Sequence, residues 1–217
     1  MDGTVFFQDR SDAGRMLSEK LQQYKDTPRI LLAIPRGGVI VGYEVAQKMH
    51  LPLDVIISRK IGAPRNPEFA IGAISEGGQT HWNTDALNQM NIEKSKLSDI
   101  IFQEKKELER RVSVYRKGRE LQDIRGKVVV LVDDGVATGA TVLAAVKAIR
   151  KYHPKEIIFA CPVCSQEARE DISGYVDQIL CVVTAQNLSS ISNYYQNFQQ
   201  VTDEKVKQIL EKFQQSV

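Results

Sequence analysis

Short apolar runs alternate along the chain with longer segments in which apolar residues recur every three or four positions. The runs predict β-strands, and the periodic segments predict amphipathic helices. We expect strands at residues 30–34, 53–58, 70–75, 127–132, 157–161 and 179–183, and helices at residues 11–25, 38–49, 93–118, 140–151 and 203–213. Residues 59–69 hold two prolines and a glycine, which predict a loop. The alternation is typical of an α/β fold with a doubly wound, mainly parallel sheet.

Composition narrows the class of protein. The chain has 217 residues, of which 42% are hydrophobic and 26% charged, as in a soluble globular domain. A net charge of +2 does not indicate nucleic-acid binding. A few suitably positioned cations would still be enough to bind a small anion. No apolar run approaches the roughly 18 residues of a membrane span, and the first ten residues lack a secretory pattern. With three cysteines, we expect a reducing, cytoplasmic location and no membrane or nucleic-acid partner.

The strongest candidate for chemistry follows the most apolar predicted strand. Asp133 and Asp134 stand at its carboxyl end, where open α/β sheets bind ligands. Glycines and threonines then lead into a helix, whose N-terminal amides and hydroxyls suit an anion. Carboxylates beside such an anion-binding loop suit a sugar phosphate, because they can accept hydrogen bonds from the sugar hydroxyls while the loop holds the phosphate. An ordinary Asp-Asp-Gly turn would explain the acids but not the threonines, and a Walker B strand would need a Walker A loop that the chain lacks.

Residues 129–141 resemble the signature of type I phosphoribosyltransferases that binds 5-phosphoribosyl-1-pyrophosphate (PRPP). The resemblance implies that fold and implies that Asp133 and Asp134 act in catalysis by holding the ribose hydroxyls. It implies Mg²⁺ as cofactor, held through the substrate, with the same two acids as candidate ligands. The implied binding residues for the 5-phosphate are Gly135, Val136, Ala137, Thr138, Gly139, Ala140 and Thr141.

A second loop follows the first predicted strand and resembles the pyrophosphate loop of the same family. In a doubly wound sheet the first strand lies beside the fourth, so both loops would face one crevice. The resemblance implies that Arg36 and the amides of Gly37 and Gly38 meet the pyrophosphate oxygens. Taken alone, a generic glycine turn explains these residues equally well.

Residues 59–70 occupy the position at which the family has a mobile loop over the reacting centre. The available cations are Arg59 and Lys60, which we take as candidate catalytic residues, and Arg65. A solvated basic loop is the alternative, because exposed lysines and arginines are the norm. Glu76, at the end of a predicted strand, has no assigned role.

Residues 7–14, 62–70 and 201–204 extend the resemblance to a group of bacterial phosphoribosyltransferases whose acceptor is unsettled. We expect a single domain of residues 1–217, with a core of about 28–183. The same resemblance implies a small hood from about residues 1–12 and 184–217 and a long helical insertion at about 84–120. A homodimer is a further expectation.

The acceptor is less well defined by the sequence. Family members that use 6-oxopurines have an Asp where this chain has Ala137 and a Lys where it has Pro162-Val163, so those bases are disfavoured. Three hood aromatics could stack on a base: Tyr194, Tyr195 and Phe198. Core packing is the alternative for all three.

Cys161 and Cys164 form a Cys-x-x-Cys that we expect between a strand and a helix. A redox role is disfavoured because no thioredoxin-like pattern surrounds it, and zinc would need further ligands, for which His153 and Cys181 are scattered in sequence. The leading hypothesis is a phosphoribosyltransferase that uses PRPP and Mg²⁺ on an unidentified nitrogenous base. The rival is a PRPP or nucleotide sensor that retains the fold without turnover.

Overall fold

The computed structural model describes residues 6–24 and 29–215. Its strands are β1 (Arg29–Ala33), β2 (Leu53–Val55), β3 (Ser58–Ala63), β4 (Asn66–Ser75), β5 (Gln79–Trp82), β6 (Val128–Val132), β7 (Glu156–Ser165) and β8 (Gln178–Ala185). Its helices are α1 (Arg10–Leu21), α2 (Gly38–Met49), α3 (Thr84–Gln89), α4 (Ser98–Arg116), α5 (Ala140–Arg150), α6 (Gln166–Ser173) and α7 (Asp203–Gln215). The predicted hood residues 1–5 and 216–217, and residue 25 of the first predicted helix, lie outside these ranges.

The central sheet is parallel throughout and has the strand order β2-β1-β6-β7-β8. Alternate residues of its inner strands enter two different apolar clusters: Leu31, Ala33, Val130 and Val132 face one, and Ile30, Leu32, Val129 and Leu131 face the other. Both faces are therefore covered, which explains why β6 has no polar residue. Ala33 and Val132 are register partners, so the segments after β1 and β6 leave the sheet at the same level. This α/β arrangement confirms the predicted fold class.

The prediction of a loop at residues 59–69 is wrong. The chain there forms β3 and the first half of β4, which pair antiparallel and with β5 make a second sheet of three strands. The predicted strand at 53–58 is divided between the two sheets, and the one at 70–75 is the second half of β4. The register shifts at Gly62, where a Cβ would lie 2.2 Å from the Pro67 carbonyl oxygen. This irregularity lets a proline-containing hairpin form where turn residues predict a loop.

Glu76 has a structural position that the sequence did not suggest. Its carboxylate accepts two hydrogen bonds from Arg116 at the end of α4, of 2.6 and 2.9 Å, and one of 2.6 Å from the amide of Ile57. Arg116 also lies 3.4 Å from Asp54 of β2. Burial raises the pKa of Glu76, although the charge of Arg116 acts in the opposite direction. This buried network joins α4 to both sheets.

Segments near the two ends of the chain meet at one edge of the molecule. The amide of Phe7 donates to the carbonyl of Tyr194 (2.9 Å), and the amide of Gln196 donates to the carbonyl of Phe7 (2.8 Å). Phe7 is fully buried in a small cluster with Tyr195. Helix α7 packs on α2 and α4. Within the described ranges, no helix has the length and apolarity needed to cross a membrane.

Candidate active site

The loop after β6 is hydrogen-bonded to β7. The amide of Val136 donates to the Val163 carbonyl, and the Ser165 amide donates to the Val136 carbonyl, both at 2.9 Å. The hydroxyl of Ser165 donates to the Ala137 carbonyl at 2.7 Å. Gly139 has a φ of 71°, a left-handed conformation that suits glycine, and immediately precedes α5. The predicted anion-binding residues therefore lie at a helix N-terminus on a fixed backbone.

The two acids of the pair face different neighbours. One oxygen of Asp133 accepts from the amide of Asp134 (2.8 Å), and Asp133 lines the cleft described below. Burial raises the pKa of Asp133 well above its ordinary value, and the neighbouring charge of Asp134 adds to this effect. Asp134 accepts a hydrogen bond of 2.6 Å from Nε of Arg10, with side-chain exposures of 14% and 9%. Asp134 is thus half of a largely buried ion pair.

The structure brings the two predicted loops into contact. A Cβ added to Gly37 would lie 1.8 Å from a carboxylate oxygen of Asp134, and one added to Gly38 would lie 3.0 Å from the Cα of Asp133. The side chain of Arg36 faces Asp203 of α7, with its Nη1 3.8 Å from the carboxylate. The peptide bond between Pro35 and Arg36 is cis.

An open cleft of about 1270 Å³ lies over the anion loop. Its lining includes every residue predicted to bind the 5-phosphate, namely Gly135, Val136, Ala137, Thr138, Gly139, Ala140 and Thr141. Lys60 of β3 and residues 189–192 form other parts of the wall. The other two cations of the predicted mobile loop do not share this position. Nε of Arg59 donates to Glu104 of α4 at 2.6 Å, and Arg65 is exposed near the turn of the hairpin.

The predicted base-stacking residues are placed differently from one another. Phe198 lines the cleft, but the guanidinium of Arg10 lies 3.7 Å from its ring centroid. Tyr195 is 6% exposed between Phe7 and Phe198, and its hydroxyl donates to the carbonyl oxygen of Asp134. Tyr194 packs against the same apolar cluster. The burial of Tyr195 fits the alternative of core packing. The tyrosine can be buried there because its hydroxyl has a hydrogen-bond partner in the interior.

Sequence reasoning missed several residues around the cleft. Trp82 and His81 come from β5, a strand of four residues that the pattern did not reveal, and both line the cleft. The ring of His81 lies 3.0 Å from Nζ of Lys147, and burial followed by that charge lowers the pKa of His81. Arg10 was also missed as a partner of Asp134, although it lies within residues 7–14, which carried part of the resemblance.

The chain is similar in sequence to a known protein family. Residues 10–199 match the family model described as Phosphoribosyl transferase domain. Rv0571c of Mycobacterium tuberculosis H37Rv, which carries phosphoribosyl transferase as a provisional name, is 35% identical over 206 residues. The match covers 95% of this chain and 46% of that protein, so the chain spans about half the length of the curated relatives it matches.

Solved structures share the architecture. TT1426 from Thermus thermophilus is 38% identical with a TM-score of 0.79, over 95% of this chain and 98% of that one. A hypothetical protein from Neisseria gonorrhoeae, solved with bound ppGpp, is 13% identical with a TM-score of 0.52 over 96% of each chain, and indicates the fold alone. The fold is that of type I phosphoribosyltransferases. Because the family model covers most of the chain, including the acidic pair and the anion loop, the protein belongs to the phosphoribosyl transferase domain family.

Proposed function

We propose that this protein is a phosphoribosyltransferase that uses PRPP and Mg²⁺ to transfer phosphoribose to a nitrogenous base, with release of pyrophosphate. One observation carries the proposal: Asp133, the glycine-threonine loop at the start of α5 and the segment after β1 converge at a single sheet edge. A phosphate, a ribose and a pyrophosphate each have groups of suitable chemistry there. An anion site alone would not require an acidic residue beside it.

In this proposal the loop amides and the hydroxyls of Thr138 and Thr141 hold the 5-phosphate at the N-terminus of α5. Asp133 accepts hydrogen bonds from the ribose hydroxyls and, when ionised, offsets positive charge that builds on the ring as pyrophosphate leaves. The amides of Gly37 and Gly38 meet the pyrophosphate. For Arg36 to join them, its side chain must turn away from Asp203.

The donor set fits Mg²⁺. This ion prefers oxygen ligands and takes few of them from protein when a phosphate substrate is present. Asp133 lines the cleft and would supply a carboxylate, whereas Asp134 is engaged by Arg10. When bound with PRPP, the ion offsets the negative charge of the leaving pyrophosphate. Lys60 in the cleft wall adds positive charge near the same groups.

For the acceptor we propose a base other than a 6-oxopurine, on the basis of Ala137 and Pro162-Val163. The cleft offers Trp82 as an aromatic surface, whereas Arg10 already covers one face of the Phe198 ring. We extend the proposal to a cytoplasmic homodimer built from one domain. That domain would have its core at about residues 28–183, its hood at about 1–12 and 184–217, and its helical insertion at about 84–120.

A non-catalytic PRPP or nucleotide sensor is the second candidate, and one observation favours it. Asp134 is already paired with Arg10, so one of the two acids that catalysis would use is engaged by the protein itself. A sensor needs the anion loop and one acid for binding, but it does not need both carboxylates for turnover.

Pyrophosphate release from PRPP, measured with and without Mg²⁺ across a panel of bases, tests the enzyme against the sensor. The enzyme proposal predicts release that depends on both Mg²⁺ and one class of base, and that Asp133→Asn lowers at least a hundredfold. Arg65→Gln, at the exposed hairpin turn, is the matched control that should retain the rate. Tight binding of PRPP or a nucleotide without release for any base would support the sensor, whereas binding of neither PRPP nor a nucleotide would reject both candidates.

A further inference from the structure

All three cysteines of the chain converge at one place in the central sheet. Cys161 and Cys164 both lie within β7, which continues to Ser165 and is followed directly by α6, so the pair precedes a helix as expected but belongs to the strand instead of following it. Cys181 lies on the neighbouring strand β8 as the register partner of Cys161. Cys181 therefore lies beside the other two cysteines in space, although it is distant from them in sequence.

The three sulfur atoms have a spacing that suits one metal ion. Sγ of Cys161 lies 3.6 Å from Sγ of Cys181, and all three Sγ atoms lie within 4.8 Å of one another. Metal–thiolate bonds of about 2.3 Å place three sulfurs around one ion at about 4 Å from each other. A separation of 3.6 Å for one pair and an upper limit of 4.8 Å for all three are close to that value, so small side-chain rotations would complete the geometry.

The cluster is largely buried and has two positively charged side chains nearby. Cys161 and Cys164 are fully buried, while Cys181 is partly exposed and offers an entry path. Arg169 and Lys20 are close enough to Cys181 for their positive charges to act on it. Those two cations also offset the negative charge that three thiolates would bring into the sheet.

We propose that Cys161, Cys164 and Cys181 form a site for a thiophilic d¹⁰ cation, Zn²⁺ or Cu⁺, between β7 and β8. Sulfur ligands select these soft ions over Mg²⁺. Binding exchanges the thiol protons, which pass to solvent, for the metal–sulfur bonds, without any change of oxidation state. Cu⁺ is satisfied by three thiolates, whereas Zn²⁺ takes a fourth ligand, for which water at the exposed side of Cys181 is suitable.

The position of this site connects it to the anion loop. Between Cys161 and Ser165, β7 provides the hydrogen bonds that hold the loop through Val136 and Ala137. An ion that joins β7 to β8 would therefore stabilise the support of the loop. This inference is independent of the proposed transferase activity, because a metal would bind whether or not PRPP turns over.

Metal titration of the reduced full-length protein tests the site without reference to activity. Co²⁺, as a spectroscopic probe for the Zn²⁺ site, should give sulfur-to-metal charge-transfer bands that saturate at one equivalent and vanish on addition of Zn²⁺. Cu⁺ is offered in parallel against a Cu⁺-specific chelator. Tetrahedral Co²⁺ bands with Zn²⁺ retention assign zinc, and Cu⁺ retention with weak Zn²⁺ binding assigns copper.

Two variants connect the bands to the cluster. Cys181→Ser, at the partly exposed position, should lower affinity at least a hundredfold while circular dichroism shows a folded protein. Cys164→Ala, which removes a ligand from β7, should lower the affinity in the same way. His153→Asn is the matched control, because it removes an exposed candidate ligand. The proposal is overturned if the wild type holds neither ion at one equivalent, or if Cys181→Ser retains the bands. A Cys161–Cys181 disulfide formed with the metal left in solution would also overturn it.

Discussion

Removal of Arg10 should destabilise the fold far more than its place on a surface helix suggests. Arg10 is the first residue of α1, yet its side chain is 9% exposed. Its Nε donates to Asp134 at 2.6 Å, its Nη1 donates to the carbonyl of Gln199 at 2.8 Å, and its guanidinium covers the ring of Phe198. One side chain therefore joins α1, the acidic pair and the segment before α7.

The magnitude follows from what Arg10→Ala leaves behind. Breaking a buried ion pair by removing one partner costs about 3–5 kcal/mol, because the other charge stays buried without compensation. The lost cation–π contact with Phe198 adds about 0.5–2 kcal/mol. We expect Arg10→Ala to lower the free energy of unfolding by at least ~3 kcal/mol. Arg15→Ala is the matched control on the same helix: Arg15 pairs with Asp12 at 3.3 Å but is 51% exposed, so the expected loss is below ~1 kcal/mol.

Urea unfolding followed by circular dichroism would measure both variants at pH 8. A double-mutant cycle with Asp134→Asn isolates the pair from the other contacts of Arg10. In Arg10→Met/Asp134→Asn no unpaired charge remains, so the double variant should be more stable than Arg10→Met alone. If Arg10→Ala costs no more free energy of unfolding than Arg15→Ala, or if the cycle shows no coupling, the ion pair does not stabilise the packing of α1 against Asp134.

Two further predictions concern the same sheet edge. In Gly37→Ala the new Cβ would lie 1.8 Å from the carboxylate of Asp134, so we expect a loss of about 1–3 kcal/mol in urea unfolding and weaker PRPP binding. Gly174→Ala, with a φ of −77° and open space around it, should change neither, and equal losses in both would contradict the close approach. The raised pKa of Asp133 means that its contribution to stability is fully present below the unfolded pKa and is lost as pH rises through the folded pKa. Asp133→Asn should therefore be more stable than the wild type at pH 8 and lose that advantage at pH 4; a constant difference in unfolding free energy would refute the assignment.

Much of the central sheet could be predicted from the sequence because its signals are local. The predicted helix at 38–49 coincides with α2, and β6 and α5 begin within one residue of their predicted starts. An uninterrupted apolar run has few alternatives to a buried parallel strand. The position of the two loops followed from topology, since the carboxyl ends of neighbouring parallel strands meet at one edge.

The parts that sequence reasoning missed depend on contacts between distant residues. The β3–β4 hairpin contains turn residues, and only its pairing across the irregular register at Gly62 makes it a strand pair. Arg10 and Asp134 are 124 positions apart, so no periodicity connects them. Cys181 similarly meets Cys161 only through the register of β7 with β8. Local patterns specify the elements, whereas these partners depend on how the elements pack.

The different environments of Asp133 and Asp134 indicate that the acidic pair has two tasks. Adjacent residues at a strand end point in different directions, so one acid faces the cleft while the other faces α1. Asp133 is therefore placed to interact with a ligand. Asp134 fixes Arg10, and its carbonyl accepts from Tyr195, so residues from near both ends of the chain contact the same dipeptide. It follows that a change in the packing of α1 on the sheet would alter the cleft floor without any substitution in the cleft.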